Sequence, residues 1–417
     1  MKRLIPIAAI LAASAAPALA QLGLPTVSDA VDETVQTVDH TLRTAAPTVR
    51  DASTSAGSLA DALAGSLAGA RLDRLARLLR RHADSVERDN SGNLARKDEL
   101  LLLDPGPDAI ATARAAGFAI LSHEELVELG LAVVRLGLPA GMTLAQAQQV
   151  LAERLPDASI SADTLNFQSG GVAGTGRPRR ASTVAMPAIR TTVGVIDSAP
   201  GPGIAVAETR GFARGAPVAS NHGSAVASLL AHAGVRRILV ADVYGKDPAA
   251  GNALAIVRAL DWLIGRDIRV VSISLVGPAN PVLARAIAAA QRRGAVIVAP
   301  VGNDGPAAPA AYPASYPGVI AVTGVDGRNR ALIEAGRALH LDYAAPGADM
   351  VAANAAGRWG RVRGTSFAVP FVASRVALGM GGDVIARLDG EAVDLGKRGP
   401  DASYGRGLLC TTCRRTR

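Results

Sequence analysis

Aromatic residues are scarce in this chain of 417 residues: five Phe, five Tyr and two Trp make up 3% of it. Surfaces that bind nucleic acids interleave basic side chains with aromatic ones, whereas the Lys and Arg residues here are scattered without them. The net charge of +8 therefore does not indicate a nucleic-acid partner. Apolar residues still make up 49% of the chain, so we expect a core built from Ala, Val, Leu and Ile.

Cysteine is also rare, with only Cys410 and Cys413 inside a basic tail at residues 410–417. Two thiolates do not complete a zinc site, and no further ligand lies nearby in sequence. No strand–helix unit surrounds them, which argues against a thioredoxin-like redox role. A small disulfide of an oxidising compartment and a dispensable terminal loop remain, and we favour the second.

Long hydrophobic runs are absent after residue 20, so no later segment is long enough to span a bilayer. Residues 1–20 predict a signal peptide, because Lys2 and Arg3 precede an apolar run that ends in an Ala-Leu-Ala cleavage site. An uncleaved membrane anchor is the alternative, but the run is short and rich in Ala. We expect export to a periplasm or out of the cell, without membrane association.

Residues 21–97 form an N-terminal region in two parts. From 21 to about 65 the sequence shows little periodicity, which indicates a mobile or loosely helical segment. Over 66–84, Leu residues recur near helical spacing with Arg residues between them, which predicts a basic amphipathic helix. Such a helix contacts either anionic lipid or its own protein, and we favour the second.

Residues 98–167 are predicted to form a small α+β unit. Strand-like runs occur at Glu99–Leu103, Gly117–Leu121, Leu131–Leu136 and Ala158–Thr164. Between them, Ser122–Glu125 and Thr143–Gln146 fit the capping box that starts a helix. Nothing in this unit points to chemistry. Residues 168–189, rich in Gly and then in Arg, predict a flexible and exposed linker.

Residues 190–409 alternate short β-branched runs with helical stretches. The runs lie at Thr191–Ile196, Arg237–Val243, Arg269–Leu275, Ala295–Ala299 and Val319–Thr323. Each run is nearly all apolar, as is typical of strands in a parallel sheet that is covered on both faces. The predicted fold class is therefore α/β, and such sheets bind ligands at the carboxyl ends of their strands.

Three residues of this region suit one chemistry. Asp197 ends a buried strand, His222 begins a helix of small residues, and Ser366 lies where a loop meets a helix. A serine hydroxyl becomes nucleophilic when an imidazole takes its proton, and a buried carboxylate orients that imidazole. Each residue alone is more often a turn or cap residue. Their order and contexts together predict a catalytic triad.

The surrounding segments resemble the motifs of the subtilisin-like (S8) serine proteases. Val193–Asp197, Asn221–Ala227 and Gly364–Pro370 match the family's Asp, His and Ser motifs, and Val301–Gly305 matches a fourth. The resemblance spans about 190–409. It implies a three-layer subtilisin-like domain with a mostly parallel sheet, preceded by a small α+β prosegment-like unit.

The resemblance also implies roles for further residues. Asn303 would place its side-chain amide on the oxyanion, opposite the backbone N–H of the serine. Ser274, Leu275 and Val276 would form the strand against which a polypeptide substrate pairs. The stretch after the predicted triad histidine is too short for the calcium-binding loop that is usual in the family, so we predict no metal and no cofactor.

Residues 98–167 have the size and position of a prosegment, which in this family assists folding and blocks the cleft. We therefore predict self-cleavage within Gly174–Arg190. The predicted function is that of an exported serine endopeptidase, made as a zymogen, that hydrolyses peptide bonds through an acyl-enzyme. Its expected partners are a polypeptide substrate and its own prosegment.

Two other functions remain open on the same fold: a catalytically weak, peptide-binding pseudoprotease and a different acyl transferase. A nucleotide-binding α/β protein is disfavoured. Its Gly-x-Gly-x-x-Gly turn is missing after the first strand, where Asp197–Pro200 stands instead.

Overall fold

The computed structural model describes residues 55–173 and 186–414 of the chain. The predicted signal peptide, the segment that follows it up to residue 54, and residues 174–185 of the predicted linker lie outside the described residues.

The first described element is the helix α1, Ser55–Arg81, which confirms the predicted basic helix and begins earlier than expected. Leu78 is buried, and Leu75 and Leu79 pack against the main hydrophobic core. The helix therefore packs on its own protein, as favoured from the sequence. No helix in the two described ranges is long and apolar enough to cross a membrane.

The α+β unit follows directly. Its elements are β1 Val86–Arg88, β2 Leu94–Leu103, α2 Pro107–Ala115, β3 Ala119–Leu126, β4 Leu131–Gly137, α3 Leu144–Arg154 and β5 Ser159–Thr164. The five strands form an antiparallel sheet, in which four follow the order β1-β2-β4-β3 and β5 also pairs with β2. The predicted α+β architecture is confirmed.

Only one of the two predicted capping boxes forms. Thr143 and Gln146 cap α3 reciprocally, as predicted. Ser122 and Glu125 lie inside β3, where the prediction of a helix start was wrong. The β3 side chains alternate between more and less exposed positions, and pairing with β4 takes up the backbone groups that a helix would use.

The predicted linker is not loose at its start, which corrects the expectation of a flexible segment from residue 168. Two short strands lie there, β6 Phe167–Gln168 and β7 Gly171–Ala173. Between them, the side chain of Ser169 is buried. The backbone of these residues pairs with other strands, so glycine content did not here produce flexibility.

The second unit is built on a seven-stranded sheet. Its elements are β8 Val193–Asp197, β9 Glu208–Gly211, α4 Asn221–His232, β10 Ile238–Asp242, α5 Ala253–Gly265, β11 Val270–Ile273, β12 Leu275–Val276, α6 Pro281–Arg292, β13 Val296–Pro300, β14 Ile320–Val325, β15 Tyr343–Pro346, β16 Met350–Ala353, β17 Trp359–Arg363, α7 Val369–Gly379 and α8 Val384–Glu391. The sheet runs β15-β14-β13-β11-β8-β10-β9, and all its pairs are parallel.

Helices cover both faces of this sheet, which confirms the three-layer α/β class. Successive strand residues point to opposite faces. Thus Ile196 joins the core beneath α5 and α6, whereas Val195 joins the core beneath α4 and α7.

The sheet of the α+β unit also uses both faces. Leu100 and Leu102 pack into the unit's own core with residues of α3. Leu101 and Leu103 point the other way and belong to the core that contains α5 and α6. The alternation along β2 thus joins the two units through a continuous apolar interface.

The terminal cysteines are part of the core, so the interpretation as a dispensable loop was wrong. Cys410 and Cys413 form a disulfide, and both are buried in the core that contains α4 and α7. Nε2 of His232, at the end of α4, lies 3.0 Å from the Cys413 carbonyl oxygen.

Candidate active site

Asp197 and His222 meet at the carboxyl end of the central strand β8. Asp197 is the last residue of that strand, and His222 is the second residue of α4, whose first turn is capped by the Ser220 hydroxyl. Nδ1 of His222 lies 2.9 Å and 3.0 Å from the two carboxylate oxygens of Asp197. Both side chains are buried. With Nδ1 donating to the carboxylate, Nε2 of the neutral ring is left as an acceptor.

Ser366 lies in a 3-10 turn, Thr365–Phe367, that leads into α7. Its hydroxyl donates to the Ser274 carbonyl oxygen at 3.0 Å and accepts from the backbone N–H of Ser169 at 3.1 Å. Nε2 of His222 is buried and has no hydrogen-bond partner in the described structure. The three predicted residues are thus gathered at one site, but the serine–histidine hydrogen bond is not formed.

The backbone N–H of Ser366 donates to the carbonyl oxygen of Ser169 at 3.0 Å. This contact is notable because a helix-opening N–H is the type of donor that stabilises an oxyanion. A residue of the chain's own upstream segment therefore lies with its carbonyl group at the candidate serine.

Asn303, the predicted second oxyanion donor, borders the same carbonyl group. Its Oδ1 accepts from the backbone N–H of Thr365 at 3.0 Å, which orients the amide and leaves Nδ2 for another acceptor. A Cβ on Gly364 would lie 2.6 Å from Nδ2 of Asn303 and 2.9 Å from the Ser169 oxygen. Because Gly364 has no side chain, this space stays open to Nδ2 of Asn303 and to the Ser169 carbonyl oxygen.

The predicted substrate strand is also occupied by the upstream segment. Gln168 and Phe167 of β6 pair antiparallel with Leu275 and Val276 of β12. After Ser169, the upstream segment continues as β7, which pairs antiparallel with β17. The segment thus forms an added strand on each side of Ser366, the geometry in which extended peptides are recognised.

Sequence reasoning missed the residues that fill the cleft. Gln168 reaches the candidate triad, where its Nε2 donates at 2.8 Å to both Asp197 and the Ser198 hydroxyl. The Gly-Gly pair that follows Ser169 was interpreted as a signal of flexibility. The available sequence signal was the strand-like stretch Phe167–Gln168 shortly before the two glycines. Two residues are too few to distinguish a strand from a loop.

A cavity beside Ser169 extends the cleft, and α1 covers part of it. Val276, Val301 and Ala311 are among the apolar residues that line it. At its rim, Arg71 and Arg74 of α1 form ion pairs with Asp304, at 3.2 Å and 2.6 Å.

An ion pair between a buried carboxylate and a half-buried guanidinium group also lines this cavity. Oε1 and Oε2 of Glu334 lie 2.7 Å and 2.8 Å from two guanidinium nitrogens of Arg363, the last residue of β17. Within residues 55–173 and 186–414, no group of three or more His, Cys, Asp or Glu side chains is placed to hold a metal ion.

Comparison with known proteins places residues 209–383 within the sequence model of the Subtilase family, Peptidase S8. The chain is 31% identical over 171 residues to subtilisin J of Geobacillus stearothermophilus and 33% identical over 172 residues to subtilisin DY of Bacillus licheniformis. Each match covers 38% of this chain, and 44% and 61% of the respective relatives. The chain thus matches about half the length of these curated relatives.

Solved structures share the fold. Fervidolysin of Fervidobacterium pennivorans, described as a keratinolytic enzyme related to subtilisin, is similar with a TM-score of 0.61 and 16% identity over 76% of this chain and 61% of that chain. A serine-to-alanine mutant of the epidermin leader peptide processing serine protease of Staphylococcus aureus has a TM-score of 0.57 and 14% identity over 75% of this chain and 97% of that chain.

Proposed function

Because the chain belongs to the subtilisin-like members of the Subtilase family, we propose that it is a serine endopeptidase made as a self-inhibited precursor. The proposed first substrate is its own Ser169–Gly170 peptide bond, and the later substrates are other polypeptides. Export to a periplasm or out of the cell, inferred from residues 1–20, is part of the same proposal.

The observation that carries the proposal is the 3.0 Å hydrogen bond from the Ser366 N–H to the Ser169 carbonyl oxygen. The segment before this carbonyl pairs with β12 and the segment after it pairs with β17. A carbonyl group held between these two pairings, with its oxygen on a helix-opening N–H, has the position of a bond about to be cut.

In the proposed reaction, Oγ of Ser366 attacks the carbonyl carbon of Ser169 while Nε2 of His222 takes the hydroxyl proton. Asp197 holds His222 in the required tautomer and offsets its positive charge. The Ser366 N–H and Nδ2 of Asn303 stabilise the oxyanion. The bond to Gly170 then breaks, and His222 gives its proton to the departing amine.

The acyl-enzyme is hydrolysed by the same groups in reverse order. His222 takes a proton from water, whose oxygen attacks the ester carbon, and then returns the proton to Oγ of Ser366. The products are a new carboxylate at Ser169 and a second chain that begins at Gly170.

The hydrogen bonds around Ser366 support a latent state. Its hydroxyl donates to the Ser274 carbonyl oxygen, while Nε2 of His222 has no partner in the described structure. For the reaction to start, the hydroxyl must turn from Ser274 toward His222. We propose that this turn limits the rate of self-processing.

The proposed cleavage position revises the one inferred from the sequence. Glycine and arginine content placed the cut within Gly174–Arg190, of which residues 174–185 lie outside the described residues. The Ser169–Gly170 bond is preferred because its carbonyl oxygen, and not one further along the chain, accepts the Ser366 N–H.

The peptide-binding pseudoprotease remains a second candidate, and the unformed serine–histidine bond is the observation that favours it. The two proposals differ in what happens once the upstream segment leaves the cleft. An activated serine reacts with a fluorophosphonate probe, whereas a serine that is only part of a binding groove does not.

The decisive experiment is expression of the full chain as wild type, Ser366→Ala and Ser374→Ala, with intact-mass and N-terminal analysis of the products. Ser374 is a matched control, because it is a buried serine on α7 whose hydroxyl donates to the Phe371 carbonyl oxygen.

Wild type and Ser374→Ala are expected to yield a chain that begins at Gly170 and to label with a fluorophosphonate. Ser366→Ala should stay uncut and unlabelled. Cleavage of Ser366→Ala at the same bond in a purified, protease-free sample would refute self-processing. A wild-type protein that stays intact and unlabelled after denaturation and refolding favours the pseudoprotease.

A further inference from the structure

Phe367 directly follows Ser366. Its ring lies against Gly170, the residue after the proposed cleavage at the Ser169–Gly170 bond. We propose that Phe367 is a specificity-determining residue that restricts the position after the cleaved bond to glycine. The inference rests on the proposed function, since it describes which peptide bonds the same site accepts.

The contacts of Gly170 show why a side chain does not fit there. A Cβ built on its backbone would lie 2.7 Å from Cε2 and 3.2 Å from Cδ2 of the Phe367 ring. The same Cβ would lie 3.2 Å from the backbone carbonyl oxygen of Arg363. Carbon atoms in van der Waals contact are about 3.5–4.0 Å apart, so even alanine would overlap the ring.

The ring has little room to move away. Phe367 is 0% exposed, and its ring centroid lies 5.3 Å from that of His222. His222 is itself held by its hydrogen bonds to Asp197. Because packed interiors contain few voids, a shift of this ring would disturb the catalytic imidazole.

The backbone of Gly364 is also close to Gly170. A Cβ on Gly364 would lie 2.5 Å from Cα of Gly170, so these two segments of the backbone pack with only hydrogen atoms between them. A bulkier residue at position 170 would therefore meet the Phe367 ring and the Arg363 carbonyl oxygen, and the backbone of Gly364 leaves no room for Gly170 to shift toward it.

A second feature of Gly170 also favours glycine, and the experiment has to separate the two. Its φ of +148° is a conformation that residues with a side chain rarely adopt. If this φ alone demanded glycine, removing the Phe367 ring would leave the preference unchanged. If the ring imposes it, a smaller residue at 367 should relax the preference.

The test uses the processed enzyme and two synthetic peptides that span residues 163–173, one with Gly and one with Ala at position 170. We expect wild type to cleave the Gly peptide with a kcat/KM at least about 100-fold above that for the Ala peptide. In Phe367→Ala the ratio should fall at least tenfold, through faster cleavage of the Ala peptide.

Phe367→Leu serves as a second variant, because loss of a whole buried ring can prevent folding. The cut sites that wild type makes in a denatured, unrelated protein give an independent readout. They should lie before glycine.

The outcomes are distinct. Equal rates on both peptides, or cuts in the denatured protein that ignore glycine, overturn the specificity proposal and leave the proposed function intact. An unchanged ratio in both Phe367 variants shows that the ring is not the cause. No cleavage of any substrate, with no fluorophosphonate labelling, means that the proposed function itself fails.

In the full chain, Gly170→Ala should slow self-processing at least tenfold. Gly106→Ala is the matched control, because that glycine lies upstream, in the α+β unit, with open space where its Cβ would be. Processing of Gly170→Ala at the wild-type rate and at the same bond would also overturn the proposal.

Discussion

Nε2 of Gln168 donates a hydrogen bond of 2.8 Å to Oδ1 of Asp197, the carboxylate that also lies 2.9 Å from Nδ1 of His222. A residue of the segment in the cleft thus reaches the group that orients the proposed catalytic base. The contact is buried, so it contributes more than an exposed hydrogen bond to a carboxylate would.

We expect this contact to help the cleaved segment to stay bound as an inhibitor. A hydrogen bond to a charged group contributes about 1.5–3 kcal/mol, or roughly 10- to 150-fold in affinity. A synthetic peptide of residues 160–169 should therefore inhibit the processed enzyme at least tenfold more weakly with Ala at position 168 than with Gln. Inhibition constants measured with a chromogenic substrate check this, with Ala at position 160 as the control. Equal constants for the two peptides that differ at position 168 would show that the contact adds no affinity.

Asn303→Ala is expected to lower kcat by about 10²–10³-fold with little change in KM, which is the loss known for the oxyanion asparagine of subtilisin itself. The reason is that Nδ2 of Asn303 borders the Ser169 carbonyl oxygen, where negative charge would develop. Steady-state kinetics of the processed enzyme provide the measurement. Thermal unfolding in parallel tests whether the lost Asn303–Thr365 hydrogen bond, and not the oxyanion contact, is responsible. An unchanged kcat contradicts the assignment.

The ion pairs of Arg71 and Arg74 with Asp304 are expected to hold α1 over the cleft. Partly exposed pairs contribute only about 0.2–1 kcal/mol each, so the double variant Arg71→Glu with Arg74→Glu should speed the gain of activity after processing by about two- to thirtyfold. Time courses of peptide hydrolysis by freshly processed protein measure this. Arg80→Glu, an exposed position on the same helix, is the control. The idea is wrong if the double variant and the control gain activity at the same rate.

Asp163 is predicted to make the docked α+β unit more stable in mild acid. Its carboxylate is buried between the two units, where Oδ1 accepts from the backbone N–H of Leu254 at 2.9 Å. Burial, reinforced by the nearby charge of Glu99, raises the pKa of Asp163 to about 7, although Arg96 opposes this shift. The raised pKa means that the native state keeps a proton that the unfolded chain releases near pH 4, so the stability from this group falls as pH rises from about 4 to about 7.

The measurement is urea unfolding of the Ser366→Ala precursor and of the same protein with Asp163→Asn, between pH 4 and pH 8. The stability of the parent relative to the Asn variant should fall by up to about 1.4 kcal/mol per pH unit and level off above pH 7. Asn keeps an oxygen acceptor for the Leu254 N–H. Asp84→Asn, at an exposed position, should show no such slope. A stability difference for Asp163→Asn that does not vary with pH rules this mechanism out.

Much of the site followed from local sequence. The apolar run that ends in Asp197 became the central strand β8, and the small residues after His222 became the buried helix α4. Both features depend on hydrophobic pattern and helix capping over a few residues, which can be recognised without the fold. Asn303 was placed by its resemblance to a known motif.

Other elements could not be predicted locally. Ser122 and Glu125 have the pattern of a capping box, yet pairing with β4 draws them into a strand. Tertiary contacts override such short signals, because a cap contributes only about 1 kcal/mol. Cys410 and Cys413 looked peripheral because nothing in eight residues of sequence shows that they pack beneath α4.

The sequence by itself determined the fold class, the identity of the candidate triad and its order along the chain, since these depend on side-chain type and periodicity. Only the tertiary structure decided what lies in the cleft. Gln168 and Ser169 enter it through backbone pairing with β12 and through the Ser366 N–H. Every residue except proline carries those backbone groups, so their partners are set by how distant segments pack and leave little trace in the residue types.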